Sequence, residues 1–91
     1  MSVTVRIPSQ LRPLTGGTGE VGVEAGTVRE AIAALDAAHP GLGERLLDDQ
    51  GGLRRFVNVF VADEDIRFLE GLDTPLQPGQ TLSVVPAVAG G

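Results

Sequence analysis

The stretch that most limits how this chain can fold is Phe56-Val-Asn-Val-Phe-Val61. Successive side chains of a strand point to opposite faces, so Val57, Val59 and Val61 share one face and Phe56, Asn58 and Phe60 the other. A face of three valines needs a covering layer, and one segment is long enough to supply it. Val28, Ala31, Ile32, Leu35 and Ala38 recur at three- and four-residue spacing, with Arg29, Glu30 and Asp36 off that stripe, which predicts one amphipathic helix. Thr27 with Glu30 three residues later reads as a capping box at its start, and His39 before Pro40 marks its end. One helix covering one face of a sheet is an α+β arrangement.

The remaining strands can be placed around these two elements. Val3, Val5 and Ile7 alternate with Thr4 and Arg6 up to Pro8, and Val21 and Val23 alternate with Glu20, Gly22 and Glu24. The Pro- and Gly-bearing segment from Ser9 to Gly19 joins them as a long hairpin loop, with Leu11 and Leu14 folded back on the domain edge. Leu42, Leu46 and Leu47 predict a further helical turn, and Asp48 to Gly52 a loop. Ile66 to Leu69 reads as a short, weaker strand and Leu72 to Leu76 as a turn of helix or an irregular link. Pro78-Gly79 then turns the chain into a last strand, Thr81 to Val85, with Leu82 and Val84 facing in. Pro86 has no N–H to donate and is expected to end the pairing. In 91 residues this makes one small domain, 1–86, followed by a free tail, 87–91.

Composition narrows the function classes. A net charge of −5 argues against nucleic acid, whose phosphates need a basic stripe that seven scattered arginines do not form. No apolar run approaches the ~20 residues of a membrane span, and the opening Met-Ser-Val-Thr-Val-Arg is neither a signal peptide nor a transit segment, so a cytoplasmic location is expected. There is no cysteine and a single histidine, His39, which fits a helix C-terminus near the negative end of its dipole. A nucleophilic triad or metal site would have to rest on carboxylates alone. Asp48-Asp49 and Asp63-Glu64-Asp65 lack the spacing of a calcium loop and read as solvated turns. Thr15-Gly-Gly-Thr-Gly19 lacks the Lys-Ser/Thr of a phosphate loop and reads as a turn. No catalytic residue, metal or bound cofactor is expected.

Two features remain. Ala87-Val88-Ala89-Gly90-Gly91 has no charged or hydrogen-bonding side chain, so its one strongly reactive group is the terminal carboxylate of Gly91. A peptide of small residues ending in two glycines can pass through a channel where a Cβ would clash. The other feature is the sheet face away from the helix, where Phe56 and Phe60, with Val85 at the root of the tail, offer a docking surface.

In combination these residues resemble the ubiquitin-like sulfur carriers of the MoaD/ThiS type. The likeness rests on the element order, Phe56-Val-Asn-Val-Phe-Val61, Asp63-Glu-Asp-Ile-Arg-Phe68, Pro78-Gly79 and above all Val85-Pro-Ala-Val-Ala-Gly-Gly91. Ile7-Pro8, Leu11-Arg-Pro13, Thr15-Gly-Gly17 and Arg54-Arg-Phe-Val-Asn58 look closer still to an actinobacterial branch that serves cysteine synthesis.

The resemblance implies a β-grasp fold, with a mixed sheet of four to five strands, one main helix and a free C-terminal tail. It implies a carrier rather than an enzyme. An adenylyltransferase of the MoeB/ThiF type would use ATP to adenylate the Gly91 carboxylate, and sulfur would then displace AMP to leave a thiocarboxylate. Pro86, Ala87, Val88, Ala89 and Gly90 would thread the partner's site. The implied recipient is a PLP-dependent cysteine synthase, with a metal-dependent protease releasing the product. Related carriers serve molybdopterin, thiamin or thiosugar synthesis, and a ubiquitin-like protein modifier would use the same activated Gly91.

Overall fold

The computed structural model describes residues 2–55 and 57–86. Five strands form one sheet: β1 (Ser2–Arg6), β2 (Glu20–Glu24), β3 (Val57–Val61), β4 (Glu64–Asp65) and β5 (Thr81–Pro86). Their spatial order is β2-β1-β5-β3-β4, with β1 and β5 parallel and every other neighbouring pair antiparallel. Helix α1 (Val28–Ala38) covers one face, and a short α2 (Leu42–Leu46) packs beside it. This is the mixed sheet and single main helix expected from the sequence.

The core forms where the two periodicities meet. Val3, Val5, Val57, Val59, Val61, Leu82 and Val84 point from the sheet toward Val28, Ala31, Ile32 and Leu35 of α1, and all are buried. Ala38 is the exception to the predicted stripe: it ends the helix, exposed. At the other end the Thr27 hydroxyl accepts the Glu30 N–H at 3.2 Å. The Glu30 carboxylate reaches back to the Gly26 N–H at 2.8 Å, one residue further out than the usual capping box. The Val28 N–H is taken by the carbonyl of Thr74 at 3.1 Å, so the irregular link also serves the helix N-terminus.

Asp36, off the apolar stripe, has a task that periodicity does not reveal. Its Oδ1 accepts from the Gly41 and Gly43 N–H groups at 3.1 and 2.8 Å, tying the end of α1 to the start of α2. A Cβ on Gly43 would stand 2.9 Å from the Asp36 carboxyl carbon, so this approach requires glycine.

Three expectations are corrected. The loop after β1 contains a 3-10 helix, Ser9–Thr15, with Leu11 and Leu14 partly buried against the core. The strand expected over Ile66 to Leu69 is a 3-10 turn, Ile66–Phe68, because the Asp65 carboxylate caps it by accepting the Arg67 N–H at 2.8 Å. Strand pairing at that edge is confined to Glu64 and Asp65. Finally, Pro86 belongs to β5 and sits opposite Val57. Its missing donor is tolerated because β1 has already stopped at Arg6, opposite Ser83, leaving no ladder on that side.

Candidate tail root and docking face

The last strand is the middle strand of the sheet, gripped by β1 on one side and β3 on the other. Leu82 and Val84 are buried, and the Thr4 N–H to Gln80 carbonyl bond of 3.0 Å extends the parallel pairing to the start of β5. A chain leaving such a strand has a fixed point of departure, at Pro86. Ala87, Val88, Ala89, Gly90 and Gly91, the residues expected to enter a partner and carry its cargo, lie outside the described residues, as does Phe56.

Away from the helix, the register aligns one row of side chains across all five strands: Glu20, Arg6, Ser83, Phe60 and Asp65. Phe60 is half-buried in that row, with Ser83 beside it on β5 and Asp65 on β4. Val85 is 44% exposed opposite Asn58. Phe60 and Val85 are therefore brought to the same face, as the alternation predicts. Phe68 is more exposed than either, at 84%, and stands on the 3-10 turn that was expected to be a strand. The Asp65 cap ahead of Ile66 is the signal that would have revealed it.

Arg67 was not singled out by the sequence, yet it organises the end of β3 beside the tail root. Its guanidinium donates to Asn58 Oδ1 at 2.8 Å and to the carbonyls of Val57 and Arg54 at 2.9 and 3.0 Å. Because β4 reaches only Phe60 and Val61, the Val57 carbonyl would otherwise lie on an uncovered sheet edge, which the arginine closes, while the Arg54 carbonyl it also holds accepts the Val57 N–H at 3.1 Å. Arg67→Ala is expected to lower stability by about 1–2 kcal/mol, discounted for a side chain that is 40% exposed. Chemical denaturation checks this, and an unchanged midpoint would remove Arg67 from the account.

The acidic clusters serve turns. Asp48 Oδ1 accepts from the Gln50 and Gly52 N–H groups at 2.9 and 3.0 Å. Among the described residues no three His, Cys, Asp or Glu side chains form a group that could hold a metal ion. No helix among them is long and apolar enough to cross a membrane.

Comparison with known proteins places this geometry in context. The ThiS family model matches residues 5–91. The sulfur carrier protein CysO of Mycobacterium tuberculosis is 47% identical over 93 residues, spanning all of both chains. A chain in the crystal structure of the Amycolatopsis orientalis BexX/CysO complex is 46% identical, covering 98% of this chain and 99% of its own, with a TM-score of 0.92. Small archaeal modifier protein 3 of Haloferax volcanii is 38% identical over 65 residues, about 71% of this chain and 70% of its own. With a family model spanning the sheet, the helix and the C-terminal Gly-Gly, and relatives alike over their whole length, the chain belongs to the ThiS family and has its ubiquitin-like β-grasp fold.

Proposed function

We propose that this chain is a sulfur carrier whose cargo is held on the carboxyl carbon of Gly91. The observation that carries the reading is the full-length likeness to CysO proteins together with a Gly-Gly terminus that leaves a clamped central strand. A carboxylate is a poor electrophile. Its oxygen attacks the α-phosphorus of ATP on a MoeB/ThiF-type adenylyltransferase, pyrophosphate leaves, and the acyl carbon acquires AMP as a leaving group. Hydrosulfide delivered by the partner adds to that carbon, AMP leaves and the S–H proton is lost, giving a thiocarboxylate. This anionic nucleophile requires no cysteine in the carrier. Pro86 to Gly90 thread the partner's site, and the body supplies docking through Phe60, Val85 and Phe56.

The chain is a co-substrate of its partners and holds no cofactor of its own; ATP is consumed by the activating enzyme. Likeness to CysO favours cysteine synthesis as the destination, with a PLP-dependent synthase accepting the sulfur and a metal-dependent protease releasing the adduct. The setting is cytoplasmic.

The sequence contains no lysine, so an activated Gly91 has no side-chain amine on a second copy to acylate. Arginine, protonated at physiological pH, is a poor nucleophile. Incubation with ATP and the activating enzyme, without a sulfur source, is expected to give the acyl-adenylate or its hydrolysis product and no ladder of multimers. Denaturing electrophoresis with intact mass decides this, and a ladder linked at internal residues contradicts it. Isopeptide adducts on other cellular proteins would favour the modifier role named for the archaeal relative.

A further inference from the structure

The seven arginines are dispersed in the sequence but not in space. Arg6 and Arg12 line a groove on the β1 side of the tail root, whose wall includes Val85 and Pro86. Arg45, Arg54, Arg55 and Arg67 line a second groove on the β3 side, beside Val57, the residue paired with Pro86. The two grooves lie on either side of the Val57–Pro86 pair and between them hold six of the seven arginines; Arg29 lines neither. Three carboxylates share these grooves, Glu20, Glu44 and Asp48, leaving them a net +3. The rest of the chain carries Arg29 against nine carboxylates, a net −8.

Most of this charge is not used by the fold. The side chains of Arg45 and Arg55 make no hydrogen bond or ion pair with another described residue. Arg12 and Arg54 each spend only Nε, on the carbonyls of Ile7 and Glu44 at 3.1 and 2.7 Å, which leaves their forked ends open. Arg6 lies 3.9 Å from Glu20 with both side chains 65% exposed, a pair worth little in water. Arg67 alone is fully engaged, and it positions this end of β3.

We infer that these arginines form a basic collar around the tail exit that docks on an acidic rim surrounding the tail channel of the activating enzyme. This rests on the carrier reading. Five residues beyond Pro86 span at most about 17 Å, so an enzyme that reaches the Gly91 carboxylate must bring the mouth of its channel against the body at this place. A guanidinium fork suits bidentate recognition of carboxylates. In a chain otherwise strongly acidic, the collar also orients the approach, since a negative rim attracts this end and repels the others.

The test uses the full chain and its own activating enzyme. Arg45→Glu with Arg55→Glu changes two exposed, unbonded side chains, and Arg29→Glu is the control; melting curves confirm that each variant is folded. At about 0.05 M salt the double reversal is expected to weaken binding by about tenfold or more, with the difference shrinking towards nothing at about 0.5 M. Arg45→Gln with Arg55→Gln should fall between the wild type and the reversal, and Arg29→Glu should stay close to the wild type. At saturating enzyme the reversed variant still forms the thiocarboxylate. Unchanged affinity at low salt, a loss that salt does not diminish, or an equal loss from Arg29→Glu overturns the collar while leaving the carrier reading in place. Failure of the wild type to be adenylated overturns both.

Discussion

A chain lacking Gly91, or extended beyond it by one residue, will fold normally and support no ATP–pyrophosphate exchange by the activating enzyme. Fold and chemistry are expected to draw on different residues. Among the described residues the buried hydrophobic core runs from Val3 to Val84, all of it upstream of the last residue in the chain. The chemistry depends on it entirely: adenylation needs a free carboxylate at the end of a peptide slim enough for the channel. Truncation shortens the reach by about 3.5 Å, enough to withdraw the reacting atom from attack distance. Extension replaces the Gly91 carboxylate by an amide. Exchange is expected to drop to the level seen without carrier, while thermal melting is unchanged. Exchange by the truncated chain would show that another group is activated.

Replacing Phe60 has the second largest expected effect. The side chain stands in the outer row between Ser83 and Asp65, one strand in from the edge of the face that carries Val85. An aromatic anchor in an interface commonly contributes about 2 kcal/mol or more, a loss of roughly thirtyfold in affinity. Asp would be a poor probe here, because a carboxylate directly across from Asp65 would destabilise the sheet by itself. Phe60→Ser avoids this. It is expected to raise Kd for the activating enzyme about thirtyfold while costing only about 1 kcal/mol of stability, since the ring is half-buried. Calorimetric titration beside a denaturation curve separates the two. Unaltered affinity would remove Phe60 from the interface, and a large loss of stability would place it in the core.

Much of the fold could be read from alternation alone. Val57, Val59 and Val61 had to face one way, the stripe from Val28 to Leu35 had to meet them, and Leu82 and Val84 had to share that side; all are buried together. Local rules competed less clearly elsewhere. Ile66 and Arg67 look like alternating strand residues, but the Asp65 cap and the buried Ile66 draw the chain into a 3-10 turn, exposing Phe68. Pro86 looked like a terminator because a lost donor matters in a paired strand, but its β1-side neighbour had already ended. Asp36 and Arg67 act through backbone groups distant in sequence, which no periodicity reports.

The candidate site divides in the same way. The Gly-Gly end and Phe60 were visible because each is unusual in its own segment. The collar was not, since Arg6 and Arg12 come to lie across β5 from the arginines between 45 and 67 only because β5 inserts between β1 and β3. Charge counted along the sequence suggested scatter; the topology gathers it.

The central claim is that sulfur resides on Gly91, and intact mass spectrometry of the chain purified from its own cell under non-reducing conditions tests it directly. A population heavier by the difference between one sulfur and one oxygen is expected, with fragmentation placing the excess on Gly91 and iodoacetamide shifting that population further by one carbamidomethyl group. A chain that carries only its genetically encoded mass, even when its activating enzyme, ATP and a sulfur donor are supplied, would contradict the account.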